Sequence, residues 1–339
     1  MNKNYILSCI GIGIDFYNLV KDEINIEGFL TLKYTDRVDI SGFINIKEYC
    51  IERGLNYFEF DNYSLKDGEV KLNNVEIDNL FVAGWQRLVP PWLINKVNYH
   101  IFGYHGSIDG ITKGRGRSPL NWAIIMGFNH FKSGIFIIDE GIDSGIIVNE
   151  GKFQINSEDD IDICYKKSIQ LYANLLLEYF KDSRKRIYKV QKENNSYYFP
   201  QRTPEDGFID WNLGLNQIEN IVKALNRPYP LARTKLKNQI ILIEEVLKFE
   251  FICNNQKVKN GEIVFIFQNN RLVVKTSDGF LLIKKYFIEG GVSFIISVGD
   301  ILESVDYKKT LSKIFLRHKK KYPNKKINNK LMKYFDNLN

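Results

Sequence analysis

Apolar runs of strand length alternate with helical patterns along the first half of the chain. Residues 5–12 form an apolar run that glycines close, residues 14–22 have helical spacing, and residues 26–32 form a second apolar run. A strand, a helix and a strand at this spacing are typical of a βαβ unit, which predicts a parallel sheet. The runs predicted as further strands of this sheet are 56–60, 79–83, 97–104, 134–138 and 145–149.

Longer segments show the 3.6-residue period of amphipathic helices. Apolar residues recur at this period through 161–180, and the pattern returns over 215–225 until a proline-containing turn ends it. A shorter, buried helix is predicted over 121–126, after a proline that favours a helix start. The polar segment between the two long helices carries the predicted domain boundary, within 181–200.

The pattern changes beyond Lys237, where β-branched and aromatic runs follow one another at short intervals. These runs are 240–251, 262–267, 272–276 and 280–287, and hairpin-type turn sequences separate the last three. They predict a small antiparallel β-barrel of OB-like form. The predicted layout is an α/β domain with a Rossmann-like, mostly parallel sheet over 1–190, a helical linker and OB-like barrel over 200–305, and a basic tail over 306–339.

The formal net charge of +7 is unevenly distributed along the chain. Residues 306–339 hold 11 Lys and Arg against 2 Asp and Glu, whereas residues 1–305 hold 36 against 38. A protein that grips a large RNA is expected to carry basic surface on its body, so the nearly neutral body argues against nucleic acid. The tail is predicted to be a solvated segment or terminal helix, and contact with an anionic membrane or acidic partner is the alternative.

Composition is that of a folded globular protein, since 44% of the 339 residues are hydrophobic and 14% are aromatic. No apolar run approaches the roughly 20 residues that cross a bilayer, and no cleavage site follows the apolar start. We therefore expect a cytoplasmic protein. Cys9, Cys50, Cys164 and Cys253 lie far apart and are predicted to be reduced thiols, and the 4 histidines lack metal-ligand spacing.

The residues that carry chemistry are concentrated between 103 and 147. His105 follows a predicted strand, and Asp143 lies in a glycine-flanked loop between two predicted strands. Ligands of open α/β sheets bind at the carboxyl ends of strands, so both side chains are predicted to face one crevice. A histidine and a carboxylate in one cleft can share acid–base work, although an isolated pair is more often structural.

The sequences at 103–107 and 114–122, together with Asp143 in the loop 139–145, resemble the folate-dependent formyltransferase family. This family includes glycinamide ribonucleotide transformylase, methionyl-tRNA formyltransferase and the amino-sugar N-formyltransferases. His105 matches its catalytic histidine and Asp143 its catalytic aspartate. The resemblance extends to 201–211 and 227–230, which are similar to the start of the family's C-terminal region.

The resemblance implies a cosubstrate, 10-formyltetrahydrofolate, and direct transfer of its formyl group to a primary amine without a covalent enzyme intermediate. His105 would stabilise the developing oxyanion, while Asp143 would orient His105 and accept the proton of the amine. The residues that it places against the folate are Trp85, Gln86, Arg87, Leu88, Val89, Ile138, Asp139, Glu140 and Gly141. Without the resemblance, Trp85 would be interpreted as a core aromatic.

One position departs from the family's pattern. The family has an asparagine two residues before its histidine, and that side chain donates a hydrogen bond to the formyl oxygen; this chain has Gly103 there. Removing an oxyanion donor typically costs about 3 kcal/mol of transition-state stabilisation. A backbone N–H or another side chain, with Asn121 as a candidate by residue type, would have to replace it.

The acceptor is predicted to be the amine of a nucleotide-linked amino sugar destined for a surface polysaccharide. The residues that the resemblance places on the acceptor side are Ser107, Arg115, Arg117 and Asn121. Arginine suits phosphate recognition, although loop-stiffening ion pairs explain Arg115 and Arg117 equally well. The sequence Arg-Gly-Arg-x-Pro-Leu-Asn-Trp is closer to the amino-sugar enzymes than to the tRNA enzyme.

Two other functions stay open. Methionyl-tRNA formyltransferase is the first alternative, in which the basic tail supplies the RNA contacts. The second is a non-catalytic relative that binds a sugar nucleotide or folate, which Gly103 motivates. The sequence sets neither the amino sugar nor the oligomeric state, and a homodimer is an expectation without a residue pattern behind it.

Overall fold

The computed structural model of this chain describes residues 2–35, 40–66, 68–192, 194, 196–250, 257–291 and 294–338. Contacts divide the chain into two compact units. The first unit comprises Met1–Gly116, His130–Gln154 and Cys164–Tyr197, and the second comprises Arg117–Asn129, Ile155–Ile163 and Tyr198–Asn339.

The first unit is built on a seven-stranded sheet. Its strands, in spatial order, are β3 (Asn56–Phe60), β2 (Ile26–Leu32), β1 (Asn4–Leu7), β4 (Asn79–Val82), β5 (His100–Ser107), β7 (His130–Ile137) and β8 (Ile147–Gln154). The first five pair in parallel, whereas β5 with β7 and β7 with β8 pair antiparallel. A two-residue strand, β6 (Arg115–Gly116), precedes β7 in the chain. The predicted Rossmann-like, mostly parallel sheet is confirmed.

The helices of the first unit cover this sheet. They are α1 (Gly11–Val20), α2 (Ile46–Arg53), α3 (Gly68–Lys71), α4 (Pro91–Lys96) and α6 (Ile161–Lys181), with a 3₁₀ turn at Ser183–Lys185. One apolar core holds Phe16 stacked on Tyr172 with ring centroids 4.5 Å apart, and a second core contains Leu7 and Leu30. Strands buried on both faces account for the nearly continuous apolar runs of the sequence.

Several predicted boundaries in this unit were wrong. The strand β7 begins at His130 rather than at residue 134, and β8 spans Ile147–Gln154 rather than 145–149. The apolar run 5–12 is not one strand, because β1 ends at Leu7 and α1 already begins at Gly11. A Cβ on Gly13 would lie 2.2 Å from Oγ of Ser8, so glycine permits the close approach of the first helical turn to the strand. The predicted strand 97–104 begins only at His100, since the unpredicted helix α4 occupies the residues before it.

The second unit contains a five-stranded antiparallel sheet in the order β10 (Ala232–Leu236), β11 (Gln239–Lys248), β14 (Phe280–Ile288), β13 (Leu272–Lys275) and β12 (Ile263–Ile266). Bridges from Lys235 to Glu303 and from Glu262 to Ile301 connect its two edges through one short segment. The predicted small antiparallel C-terminal domain is confirmed, with the segment 301–303 bridged to both edges of its sheet. The prediction missed β10, whose sequence Ala-Arg-Thr-Lys-Leu is too polar to resemble a core strand. Phe251, at the end of a predicted run, lies outside the described residues.

The remaining elements of the second unit are short. They are the helices α5 (Pro119–Ile125), α7 (Leu215–Ala224), α8 (Tyr307–Lys321) and α9 (Asn329–Asp336), the strand β9 (Tyr198–Phe199), and 3₁₀ turns at Pro204–Gly207 and Glu289–Gly291. The basic tail is therefore two helices rather than a solvated segment. Leu311, Ile314 and Leu331 are buried, and Arg317 forms an ion pair with Asp206.

Cys9, Cys50 and Cys164 are buried and form no disulfide, while Cys253 lies outside the described residues. Burial raises the pKa of Cys50 to about 12, which keeps its thiol protonated and unreactive at neutral pH. In the described part of the chain no helix is both long enough and apolar enough to span a membrane.

Candidate active site

The strand β5 presents His105 to one face of the sheet. Its neighbour Tyr104 points to the opposite face, where it stacks on Tyr172 with ring centroids 4.7 Å apart. Burial raises the pKa of Tyr104 to about 12, so its hydroxyl stays uncharged at neutral pH and the buried ring fixes the strand from this face. His105 was predicted just past a strand but lies inside β5, beyond the part that pairs in parallel with β4 and opposite Gly134 of β7.

His105 and Asp143 lie together, as the prediction of one crevice requires. Nε2 of His105 is 3.8 Å from Oδ2 of Asp143, and their side chains are 14% and 25% exposed. The same Nε2 is 2.9 Å from the carbonyl oxygen of Gly114. A carbonyl can only accept a hydrogen bond, so Nε2 carries a proton. The pair is thus sheltered but reachable, and the imidazole is held from two sides.

The loop between β7 and β8 sets the position of Asp143. Oδ1 of Asp139 accepts hydrogen bonds from the backbone N–H of Gly141 at 3.0 Å and from Oγ of Ser144 at 2.6 Å. Asp143 itself has φ = +49°, a left-handed conformation that Asp adopts more readily than most residues. A Cβ on Gly145 would lie 1.7 Å from the carbonyl oxygen of Ile137. The loop is therefore a specific turn that glycine makes sterically possible.

Gly103 does not leave an empty space where the family's asparagine would project. It pairs with Phe136 of β7, and a Cβ there would lie 2.6 Å from Cζ of Phe136 and 2.9 Å from Cγ1 of Ile138. Phe136 belongs to a small apolar cluster with Ile111 and Ile147. Any side chain at position 103 would collide with these apolar groups, so the amide donor is absent on steric as well as chemical grounds.

The loop predicted to wrap the pterin follows β4. Trp85 is 7% exposed and packs edge-on against Tyr63 with ring centroids 4.7 Å apart, and the backbone N–H of Gln86 donates to the Tyr63 hydroxyl at 3.0 Å. Nε1 of Trp85 is buried and has no hydrogen-bond partner among the described residues. Arg87 lies over the Tyr63 ring, 5.0 Å from its centroid, and Leu88 is 55% exposed.

The features of this loop fit a flat, polar-edged heterocycle. A buried N–H donor without an acceptor and an exposed aliphatic side chain are the groups that such a ring would satisfy. Gly84, at φ = +91°, turns the chain out of β4 into the loop, and Val89 is buried at its far end. The other residues predicted against the cofactor, Ile138, Asp139, Glu140 and Gly141, form the half-exposed to exposed start of the Asp143 loop.

The predicted acceptor residues of the first unit are buried. Ser107 is fully buried, and its Oγ donates to the carbonyl oxygen of Gly110 at 2.7 Å while accepting from the N–H of Asp109 at 3.1 Å. Arg115 is 1% exposed, and its Nη2 donates to Oε1 of Gln191 at 3.3 Å. Both side chains hold the 107–115 loop in shape.

The other two predicted acceptor residues belong to the second unit. Arg117 is half-buried at its start. Asn121 lies in α5, is fully buried, and uses its Nδ2 to donate to the carbonyl oxygen of Ala224 at 2.6 Å. Its amide nitrogen is thus engaged within the second unit.

Gln191 was not predicted, because it lies in the polar segment that was assigned to a domain linker. Its Nε2 donates to the carbonyl oxygens of Asp143 at 2.9 Å and Gly145 at 2.8 Å. Its Oε1 accepts from Oγ1 of Thr112 at 2.8 Å as well as from Arg115. No local sequence pattern marks it, since its partners are 46 to 79 residues away.

Comparisons with known proteins agree with this architecture. The family model described as "Formyl transferase" matches residues 47–179, and "Formyl transferase, C-terminal domain" matches residues 202–295. Together they span more than half of the chain, which therefore belongs to the formyl transferase family. As a member it is a folate-dependent N-formyltransferase that uses a formyl-tetrahydrofolate as cosubstrate. No group of three His, Cys, Asp or Glu side chains in the described ranges is arranged to hold a metal ion.

Methionyl-tRNA formyltransferases are among the similar sequences, and the similar solved structures include enzymes with other names. Methionyl-tRNA formyltransferase of Fusobacterium nucleatum is 28% identical over 70% of this chain and 76% of its own, and that of Buchnera aphidicola is 28% identical over 83% and 87%. The sugar 3N-formyl transferase WlaRD, solved with dTDP and 5-N-formyl-THF, covers 86% of this chain and 99% of its own at TM-score 0.55 and 15% identity. HypX of Aquifex aeolicus with tetrahydrofolic acid covers 92% at TM-score 0.61 and 17% identity, and the match spans about half of HypX.

Proposed function

We propose that this enzyme transfers the formyl group to the primary amine of a nucleotide-linked amino sugar, with His105 and Asp143 as its catalytic residues. The observation that carries the catalytic assignment is the approach of Nε2 of His105 to Oδ2 of Asp143, at 3.8 Å, in a partly exposed position. Both residue types can bind and move protons at neutral pH when they are held together.

Formyl-tetrahydrofolate supplies an electrophilic formyl carbon when it is bound. His105 would donate a hydrogen bond to the formyl oxygen as negative charge develops there, and Asp143 would keep the ring oriented and accept the proton that the amine loses. The leaving group of this transfer is tetrahydrofolate. No side chain at Gly103 shares the oxyanion, so His105 carries more of this stabilisation than it would beside an asparagine. Trp85 and Leu88 bind the pterin through the buried Nε1 and the exposed aliphatic surface.

Charge supports a small acceptor rather than a tRNA. Residues 1–305 are nearly neutral, with 36 Lys and Arg against 38 Asp and Glu. Since Arg115 is buried against Gln191, we assign recognition of the nucleotide phosphates to the half-buried Arg117. Solved sugar N-formyltransferases of the same fold support the proposal only at the level of architecture.

The experiment measures tetrahydrofolate release from 10-formyltetrahydrofolate with a panel of dTDP-linked 3- and 4-amino sugars, and with charged initiator methionyl-tRNA alongside. The matched variants are His105→Gln and His100→Gln, which place the same change at two positions of β5. Turnover of one sugar, lost only in His105→Gln, is the expected result. Turnover of no amine, with folate binding retained, would identify a non-catalytic relative instead.

Methionyl-tRNA is the second candidate, because the sequence relatives carry that name and α8 exposes a basic face. Lys309, Lys313 and Lys320 are exposed on this face together with Leu316, which is 69% exposed. The double variant Lys313→Glu/Lys320→Glu changes the charge without touching the buried side of α8. Reduced and less salt-dependent turnover of tRNA in this variant would favour the second candidate, because fewer phosphates are then neutralised, whereas unchanged turnover of a sugar agrees with the first.

A further inference from the structure

The side chain of Gln191 connects the two loops that flank the His105–Asp143 pair. Its amide oxygen accepts from Thr112 at 2.8 Å and from Arg115 at 3.3 Å, and its amide nitrogen donates to the carbonyl oxygens of Asp143 and Gly145. The oxygen and the nitrogen of this one side-chain amide thus hydrogen-bond to two different loops. We call this set of four hydrogen bonds the Gln191 bridge.

The chain delivers Gln191 to this position by extending the sheet. The backbone N–H of Ile187 donates to the carbonyl oxygen of Val148, and Lys189 exchanges two hydrogen bonds with Ile147, at 3.0 and 2.9 Å. The segment therefore runs alongside β8 before it reaches Gln191. A fixed backbone on one side and four hydrogen bonds on the other leave this side chain little freedom.

The bridge bears on both members of the catalytic pair. On one side it fixes the backbone of Asp143, a residue in the left-handed conformation that its neighbours must maintain. On the other side it holds Thr112 and Arg115, which flank Gly114, and the carbonyl oxygen of Gly114 accepts the hydrogen bond of His105. Gln191 therefore reaches both members of the pair through the loops around them, by way of the Asp143 backbone and of Thr112 and Arg115.

We infer that Gln191 is a positioning residue that sets the His105–Asp143 geometry, an inference that rests on the proposed function of this pair. Because displacements of about 1 Å can cost on the order of 100-fold in rate, a weakened bridge is expected to lower kcat while substrate binding changes little. The requirement is for an amide, since only an amide both accepts from Thr112 and donates to Asp143 and Gly145.

The variant Gln191→Glu removes the two hydrogen bonds that the amide nitrogen donates and keeps an acceptor oxygen. A glutamate keeps the oxygen that Thr112 and Arg115 contact but places a second oxygen against the carbonyls of Asp143 and Gly145. The matched control is Gln154→Glu, the same substitution at the exposed end of β8. Steady-state kinetics on the intact protein give kcat and KM for folate, thermal unfolding gives the folded fraction, and hydrogen exchange reports the amides of the loop 139–145.

We expect kcat of Gln191→Glu to fall about tenfold or more, with KM for folate within about twofold and faster exchange in the loop 139–145 without added ligand. Unchanged kcat would overturn the inference, as would a fall that only follows the loss of folded protein. Retained turnover in His105→Gln would instead refute the proposed catalytic pair, so the two failures are distinguishable.

Discussion

The parallel and antiparallel halves of the seven-stranded sheet differ in how their side chains pack. In the parallel half, side chains such as Ile6, Leu30 and Phe81 are fully buried, and both faces of the strands pack against apolar groups. In the antiparallel half, β5 and β7 carry glycines at which an added Cβ would collide with the neighbouring strand or its side chains, Gly103 and Gly106 among them. The proposed catalytic pair lies beside these close strand contacts, although the antiparallel strands also contribute the fully buried Ile135 and Val148 to the core.

The largest expected effect is on catalysis in the antiparallel half. Asp143→Asn preserves the size of the side chain but removes the negative charge that faces His105. We expect kcat to fall about 10³-fold, equivalent to about 4 kcal/mol, with an unchanged midpoint of thermal unfolding. The control Asp162→Asn, at the exposed start of α6, should retain full turnover. Comparable turnover of both variants would remove Asp143 from the mechanism.

The next largest effect belongs to the parallel half and should appear in stability alone. Leu30→Ala deletes a fully buried side chain of β2, which costs roughly 3 kcal/mol of the free energy of unfolding. Denaturant titration measures this loss, and kcat per folded molecule should stay unchanged. The control is Leu19→Ala, because Leu19 is 40% exposed and its truncation costs far less. A loss of kcat in fully folded Leu30→Ala protein would show that the two halves are not separate in function.

Two glycines allow a further comparison, Gly145 in the loop that holds Asp143 and Gly11 in α1. Gly145→Ala forces a Cβ against the backbone oxygen of Ile137, which cannot rotate away, so about 2 kcal/mol of overpacking is expected together with a displaced Asp143 loop. Gly11→Ala in α1 meets no atom within 4 Å and should stabilise the helix by roughly 0.5–1 kcal/mol. The free energy of unfolding should fall in Gly145→Ala and rise in Gly11→Ala, and kcat should fall only in Gly145→Ala. A tolerated Gly145→Ala would contradict the tight-turn interpretation.

The smallest effect concerns pH and His100, at the start of β5. Burial, assisted by the charge of Arg186, lowers the pKa of His100. The unfolded chain then binds this proton more readily, so folding stability is lost as the pH falls through the unfolded value of about 6.5. Between about pH 7.5 and about pH 5.5, His100→Gln should lose less unfolding free energy than the wild type. Equal losses in denaturant titrations would exclude this contribution.

Much of the fold was predictable from local pattern. The strands β2 and β3 have the predicted bounds, because each is an apolar or aromatic run between clear polar borders. The helix α6 was found from its 3.6-residue period. The strand β10 was missed because Arg233 is buried in it, which requires tertiary partners that no local window contains.

For the site, too, local sequence patterns predicted only part of what the structure shows. His105 and Asp143 were recognisable from residue type, flanking glycines and the resemblance to a family. Gln191 was not, because its importance comes entirely from partners that are distant in sequence. The steric filling of the space at Gly103 was equally hidden, since it depends on the register that places Phe136 opposite it. Local patterns identify chemistry, whereas the positioning of that chemistry requires the fold.

The path of the chain has a consequence for its biosynthesis. The chain changes unit after Gly116, Asn129, Gln154, Ile163 and Tyr197, so no single cleavage separates the two units. Domains of larger proteins generally fold as units while the chain emerges from the ribosome, the N-terminal one first. Here the helix α5 emerges early but belongs to the second unit, most of which, Tyr198–Asn339, is synthesised later. Complete folding is thereby delayed until nearly the whole chain has been synthesised.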